Sequence, residues 1–409
     1  MDFDDTPAEA KFRTDCRTFL DEYATLKADT VDWSQSHWAK PATPDQEDLH
    51  VAQCRSWQRV KYDHGWAGLT WPTEYGGQGL TSMHNGIFAE EEGRYAVATG
   101  SFAQSIGMAG PTIIDHGTDA QKAHFLDPML TGEHVWCQLF SEPNAGSDLA
   151  GLRTTAVLDG DEFIVNGQKV WTSSAQQAQW GMLLVRTDFD AHKHRGLSYL
   201  LLDMSAPGID IRPLVQITGA AHFNEVFLED VRVPAKNVLG DTNKGWGPIL
   251  TTLANERQGI GGASNVGVDD IVAMAKHFGV AADPLIRQDI ARLAAMYSTM
   301  TYMGYRVRTA SSKGVPPGPE SSVMKLAASR RLEFQGDLVM RIMGAAGMTS
   351  GSDAYMNGFW QNFGFLGQWA ARIGGGTDQV QRNICGEKVL GLPQEPRLDK
   401  GIPFRDIPT

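Results

Sequence analysis

The sequence predicts an α+β multidomain protein in which a β domain lies between two helical ones. Three observations predict it. Apolar residues recur at helical spacing through residues 1–133, short β-rich runs punctuated by turn residues fill 134–241, and long helical patterns return over 242–409. With 409 residues, 42% of them hydrophobic and 21% charged, the chain has ordinary globular composition and enough length for two or three domains sharing extensive interfaces.

In the first region, residues 10–26 and 84–96 carry the helical pattern, separated by Pro- and Gly-rich loops. In the second, residues 154–158, 163–165, 181–185, 198–202 and 225–228 read as strands, and Asp159-Gly160 supplies the positive φ of a hairpin turn between the first two. In the third, helices are expected over roughly 245–275, 284–312, 318–345 and 377–390, with enough apolar surface to pack as a bundle. No tandem repeat or low-complexity tract is present.

The 36 Lys and Arg against 48 Asp and Glu give a net charge of −12, so no sequence-independent attraction to nucleic acid or to an anionic membrane is expected. Cys16, Cys54, Cys137 and Cys385 have neither zinc-site spacing nor the density of a disulfide framework, which fits a reducing compartment. The acidic start Met-Asp-Phe-Asp-Asp and the lack of a long apolar run predict a cytoplasmic chain without membrane insertion.

Four stretches stand out. In Gln138-Leu139-Phe140-Ser141-Glu142-Pro143-Asn144-Ala145-Gly146-Ser147-Asp148 a strand enters a turn where Gly146 allows close backbone approach, and Ser141 and Ser147 offer hydroxyls to a polar ring or phosphate. Asn166-Gly167-Gln168-Lys169-Val170-Trp171-Thr172-Ser173 places a flat aromatic beside two hydroxyls, where an isolated tryptophan is more often core. Trp71-Pro72-Thr73-Glu74-Tyr75-Gly76-Gly77-Gln78-Gly79 and Ile373-Gly374-Gly375-Gly376-Thr377-Asp378-Gln379-Val380-Gln381-Arg382-Asn383 are glycine-bearing loops. Neither follows a strand within a βαβ unit, so neither is a dinucleotide fingerprint.

In this order, together with Phe223-Asn224-Glu225-Val226-Phe227-Leu228-Glu229-Asp230-Val231-Arg232-Val233-Pro234, these stretches resemble the acyl-CoA dehydrogenase family over nearly the whole chain. The resemblance implies an N-terminal helical domain, a middle β-barrel or sandwich and a C-terminal four-helix bundle that oligomerises. It implies FAD, an acyl-CoA substrate, and an electron-transfer flavoprotein as acceptor. By the same resemblance Gln138, Phe140, Ser141, Gly146 and Ser147 line the flavin, with Ser147 also near the substrate. Trp171 packs on the ring system, Ser173 lies near its N5 atom, and Gly376, Thr377 and Gln379 meet the rest of the cofactor. The chemistry requires such groups: the α-proton of a thioester becomes acidic only when donors hold the developing enolate oxygen.

Many relatives carry the catalytic glutamate two residues before the closing threonine, where this chain has Gly375. Glycine cannot accept a proton, although its N–H can still polarise a carbonyl. Glu256 lies three residues after Leu253 and four before Ile260, on the apolar face of its helix, and is expected to be a partly desolvated base. Family members acting on isovaleryl, long-chain and certain steroid thioesters place the base here in a Glu-Arg pair, which Glu256 and Arg257 match; Arg257 would then serve the substrate. Ala275 stands where many relatives have an arginine, and Arg341 opens a segment that reaches a neighbouring subunit's flavin, where it would meet the diphosphate. Homodimers, homotetramers and heterotetramers are all compatible with this pattern. Two alternatives stay open: a catalytically idle partner subunit, and a flavin monooxygenase or oxidase on the same scaffold.

Other residues carry bland readings. His192-Lys193-His194-Arg195 is expected to be a solvated turn and implies no metal. Met343 and Met348 are expected to fill core gaps, and Cys137 is expected to be inert. Asp378 either caps the final helix or orients the cofactor.

Overall fold

The computed structural model describes residues 5–28, 32–36, 39, 42–259, 266–312, 318–319, 321–397, 399 and 401–407; at 35, 257–259, 308 and 311–312 it describes the backbone only. The N-terminal helices are α1 (Pro7–Tyr23), α2 (Pro44–Asp63), α3 (Ser82–Glu92), α4 (Gly110–His116) and α5 (Asp119–Thr131). Three of them start at a threonine whose side chain accepts from the third helical N–H while Glu9, Gln46 or Gln121 reaches back, so their boundaries are written locally. Arg13, Arg17 and Arg94 converge on the buried Glu91 carboxylate and tie α1 to α3.

The middle domain contains β1 (Trp136–Leu139), β2 (Thr155–Asp159), β3 (Glu162–Ser173), β4 (Trp180–Arg186), β5 (Leu197–Asp203), β6 (Ile209–Leu214) and β7 (Phe223–Pro234). They form one curled sheet in the order β1-β4-β2-β3-β7-β6, with β5 paired to β4. The β2–β3 hairpin turns at Gly160, φ 64°, as its Asp-Gly pair predicts. The sequence reading passed over β6, although the alternation in Ile209-Asp210-Ile211-Arg212 announces a strand.

The C-terminal helices are α6 (Trp246–Gly259), α7 (Val268–His277), α8 (Pro284–Ser312), α9 (Ser321–Met343), α10 (Gln368–Ile373) and α11 (Asp378–Ile384). The single helix expected over 245–275 is two helices, α6 and α7; Ile260 lies outside the described residues. One apolar core joins Trp71, Ile113 and Phe125 of the first domain to Trp136 and Tyr199 of the sheet and Ile249 of α6, so three parts of the chain share one interior. A second core fills the sheet, and a third packs α7, α8 and α9 around Leu338, Val339 and Trp360.

Residues 401–407 return to the β domain. The buried Phe404 ring lies under the Arg186 guanidinium, 3.4 Å from carbon to ring centroid, while Phe404 N–H bonds to Ala191 O at 2.9 Å and His192 Nδ1 meets Ile402 O at 3.1 Å. No helix among the described residues is long and apolar enough to cross a membrane.

Candidate active site

Helix α6 positions Glu256. Gly245 precedes it, with its N–H bonded to Leu197 O at 2.8 Å; a Cβ there would come within 2.9 Å of the Ser198 carbonyl carbon, so only glycine lets the helix start this close to β5. Ile249 and Thr252 are buried and Leu253 packs beside them, with Glu256 next on the same face. The Thr252 hydroxyl shares hydrogen bonds with Thr112 at 2.9 Å and Tyr199 at 3.2 Å, and His116 Nε2 meets Thr251 Oγ1 at 2.8 Å. The helix is therefore fixed in rotation by both neighbouring domains. The Glu256 carboxylate is half-buried and accepts from Gln138 Nε2 at 3.2 Å, across 118 residues of sequence. Two residues chosen from separate motifs thus meet. The side chain of Arg257 lies outside the described residues.

The loop after β1 is held by an interaction the sequence reading missed. Lys169 is fully buried and donates to Glu142 Oε1 at 2.8 Å and to Phe140 O at 3.2 Å; Glu142 also accepts from the N–H groups of Arg153 at 2.7 Å and Thr154 at 2.9 Å. Burial pushes the Glu142 carboxyl up, but Lys169 and these donors outweigh it and hold it below its ordinary value. With Val170 N–H on Ser141 O at 2.9 Å, the loop is fastened to β3. Ser141 is half-buried and Gly146 and Ser147 are exposed; a Cβ at Gly146 would meet nothing within 4 Å, so the fold itself does not demand glycine there.

Trp171 is no core residue. A register shift in the β3–β7 ladder throws it outward with φ 63°, 60% exposed, its edge against Phe223 at 6.0 Å between centroids. A non-glycine residue in the left-handed region, presenting an open indole face, is a feature of functional sites rather than of interiors. Ser173 follows it, half-buried, paired in register with Phe223. The Phe140 side chain, by contrast, is buried edge-on against Tyr199 at 5.9 Å between centroids.

In the closing loop Gly375 has φ 64° and Gly376 φ 87°. Gln381 Nε2 donates to Gly375 O at 2.9 Å, and a Cβ on Gly376 would fall 2.5 Å from that nitrogen. Thr377 caps α11, accepting from Val380 N–H at 3.2 Å, and Gln379 is exposed in the first turn. Of the two roles open to Asp378, the cap belongs to Thr377. The Asp378 carboxylate is buried between Lys325 and Arg372, at 3.2 and 3.4 Å.

Several expectations change. The 192–195 turn is solvated only in part: His192 and Arg195 are exposed, but Lys193 is buried, paired with Asp148 at 2.7 Å and Asp399 at 3.1 Å, and His194 stacks edge-on against Trp246. Met343 fills core but Met348 is 83% exposed. Cys137 is fully buried, and that burial pushes its thiol up to about 12. Arg341 is half-exposed and pairs with Asp289 at 2.7 Å, while Ala275 is buried among apolar side chains where a guanidinium would lack solvent. Among the described residues no cluster of three or more His, Cys, Asp or Glu is arranged to hold a metal.

Comparison with known proteins gives the class to which this α, β, α arrangement belongs. The acyl-CoA dehydrogenase N-terminal, middle and C-terminal domains match residues 6–133, 137–231 and 243–390. The chain belongs to the acyl-CoA dehydrogenase family, whose members are oxidoreductases acting on acyl-CoA. It is 38% identical to acyl-CoA dehydrogenase IpdE1 of Mycobacterium tuberculosis over 360 residues, 86% of this chain and 91% of that one. Among solved structures it resembles the Tcur3481-Tcur3483 steroid ACAD (29% identity, TM-score 0.81, covering 97% of this chain and 100% of that one). It also resembles the ChsE4-ChsE5 complex from Mycobacterium tuberculosis (30% identity, TM-score 0.77, covering 97% and 100%).

Proposed function

We propose that the chain is a cytoplasmic, FAD-dependent enzyme that removes the α-proton and β-hydride of an acyl-CoA thioester to give the trans-2-enoyl-CoA, with Glu256 as the base. The contact between Glu256 and Gln138 carries this reading: it sets a half-buried carboxylate on a rotationally fixed helix against the strand that leads into the Ser141–Ser147 loop. The donor set suits a flavin. An open indole face at Trp171, hydroxyls at Ser141, Ser147 and Ser173, and Gly146 free of side-chain neighbours make a wall that a flat polar ring system can approach closely. FAD bound there would supply the two-electron acceptor for the hydride.

The chain's own residues would then divide the work. Glu256 takes the α-proton while Gln138 orients its carboxylate. The Gly375 N–H polarises the thioester oxygen, stabilising negative charge as the C–H bond breaks. Gly376, Thr377 and Gln379 contact the remaining cofactor, and Arg257 the substrate. Reducing equivalents pass to an electron-transfer flavoprotein. A second reading concerns assembly: both solved relatives named above are described by two gene products, which supports pairing of this chain with a different subunit, and Arg341, engaged by Asp289, would contribute little to a neighbour's diphosphate.

The test is anaerobic bleaching of the purified flavoprotein by straight, branched, alicyclic and steroid-bearing acyl-CoA thioesters, the ring-bearing ones being expected to react best. Bleaching by none of them, or peroxide release in step with substrate loss in air, would replace this reading by the idle-subunit or oxidase alternative.

A further inference from the structure

The closing loop contains two consecutive glycines in the left-handed region, the most permissive backbone available, yet its proposed task requires an N–H aimed within tenths of an ångström. Something outside the loop must hold it. Lys325, on α9, is buried. Its Nζ reaches Asp378 Oδ1 at 3.2 Å and the Arg372 carbonyl at 3.4 Å. These two acceptors stand on either side of residues 373–377, so one ammonium fastens both ends of the glycine loop. The second Asp378 oxygen meets Arg372 Nε at 3.4 Å, and Arg372 Nη1 continues to Glu333 at 2.8 Å. One helical turn from Lys325, Ser329 Oγ donates to Ala371 O at 3.3 Å.

We propose that Lys325, acting through Asp378 and the Arg372 carbonyl, is a positioning residue that fixes the direction of the Gly375 N–H; its catalytic consequence rests on the function proposed above. A merely structural staple would not need charge. A buried ion pair contributes little net stability over an apolar pair of the same shape, but it specifies one arrangement of the groups it joins. Here those groups are the two hinges of an all-glycine segment, residues 374–376, which Gln381 Nε2 holds from α11 at the Gly375 carbonyl while Lys325 holds its two ends.

Amide hydrogen exchange on the flavin-loaded enzyme tests this directly. In Lys325→Met, exchange at residues 373–377 is expected to rise about tenfold, with exchange in β1 and β4 unchanged. On the best-reducing thioester kcat is expected to fall about tenfold with KM within about threefold, the signature of a lost transition-state interaction. Asp378→Asn, which keeps a polar partner for Lys325, is expected to shift both readouts in the same direction by less, and it serves alone if Lys325→Met does not fold. Unchanged loop exchange in the folded variants overturns the proposal, as does a loss of kcat that follows loss of bound flavin while the loop stays protected. If no thioester bleaches the wild-type enzyme, the proposed function fails while the exchange comparison still decides whether Lys325 clamps the loop.

Discussion

In the proposed function, helix α6 and the loop at 374–377 serve one reaction by opposite means. The helix offers a side chain, Glu256, on a backbone locked by buried Ile249 and by Thr252 bonded to two neighbours. The loop offers backbone alone, with Gly375 and Gly376 in conformations that side chains resist. The difference teaches where proton-transfer chemistry can be stored. A base must be held in rotation, which a packed helix does well, whereas a carbonyl polariser needs only an aimed N–H. With the proposed base on the helix, the loop is free to be glycine.

The largest test of this division is Glu256→Gln, expected to lower the rate of anaerobic flavin reduction about 1,000-fold, in the range for a lost general base, with the absorbance spectrum and folding intact. Activity within tenfold of wild type would move the base elsewhere. The Lys169–Glu142 pair behind the β1 loop gives the next effect. Lys169→Met strands the part-buried Glu142 and is expected to cost about 3 kcal/mol in urea unfolding. Its pH dependence has a defined sign. Because the wild-type Glu142 carboxyl is held low, its contribution is complete above about pH 4.3 and lost as pH falls through the depressed folded value; without Lys169 the chief lowering influence is gone, so the variant's stability is expected to fall less than the wild type's across that window. A parallel pH profile for both proteins would refute the pairing.

On the loop side, Gly376→Ala meets both a positive φ and the Gln381 amide at 2.5 Å, and is expected to cost about 1–3 kcal/mol and to lower kcat more than affinity for substrate. The smallest effect belongs to Gln138→Leu, which removes one donor to Glu256 and is expected to reduce kcat about three- to tenfold, measured by stopped-flow reduction. No change there would mean that contacts other than Gln138 orient the carboxylate.

Much of this site was legible locally. The α, β, α order, the Asp-Gly hairpin and the apolar-face placement of Glu256 all follow from periodicity and turn chemistry, which act over a few residues. The exposure of Trp171 was not legible, because a bulge is a property of two strands in register rather than of one. Buried cations were missed for the same reason. Lys193 finds Asp399 across 206 residues, Lys325 finds Asp378 across 53, and in sequence each reads as a surface lysine until its distant partner is known. The β6 strand was the exception: its alternation was present and went unused.

Phe404 covers Arg186 of β4, and Ile402 meets His192 from 210 residues further along the chain. During synthesis at about 5–20 residues per second, the middle domain therefore waits roughly ten to forty seconds for its final cover. Until then the guanidinium at the end of β4 lacks the Phe404 ring. Nascent chains arrested before residue 404 should display that sheet to proteases and chaperones, and a fusion that restrains residues 401–407 should slow maturation of a domain it never touches.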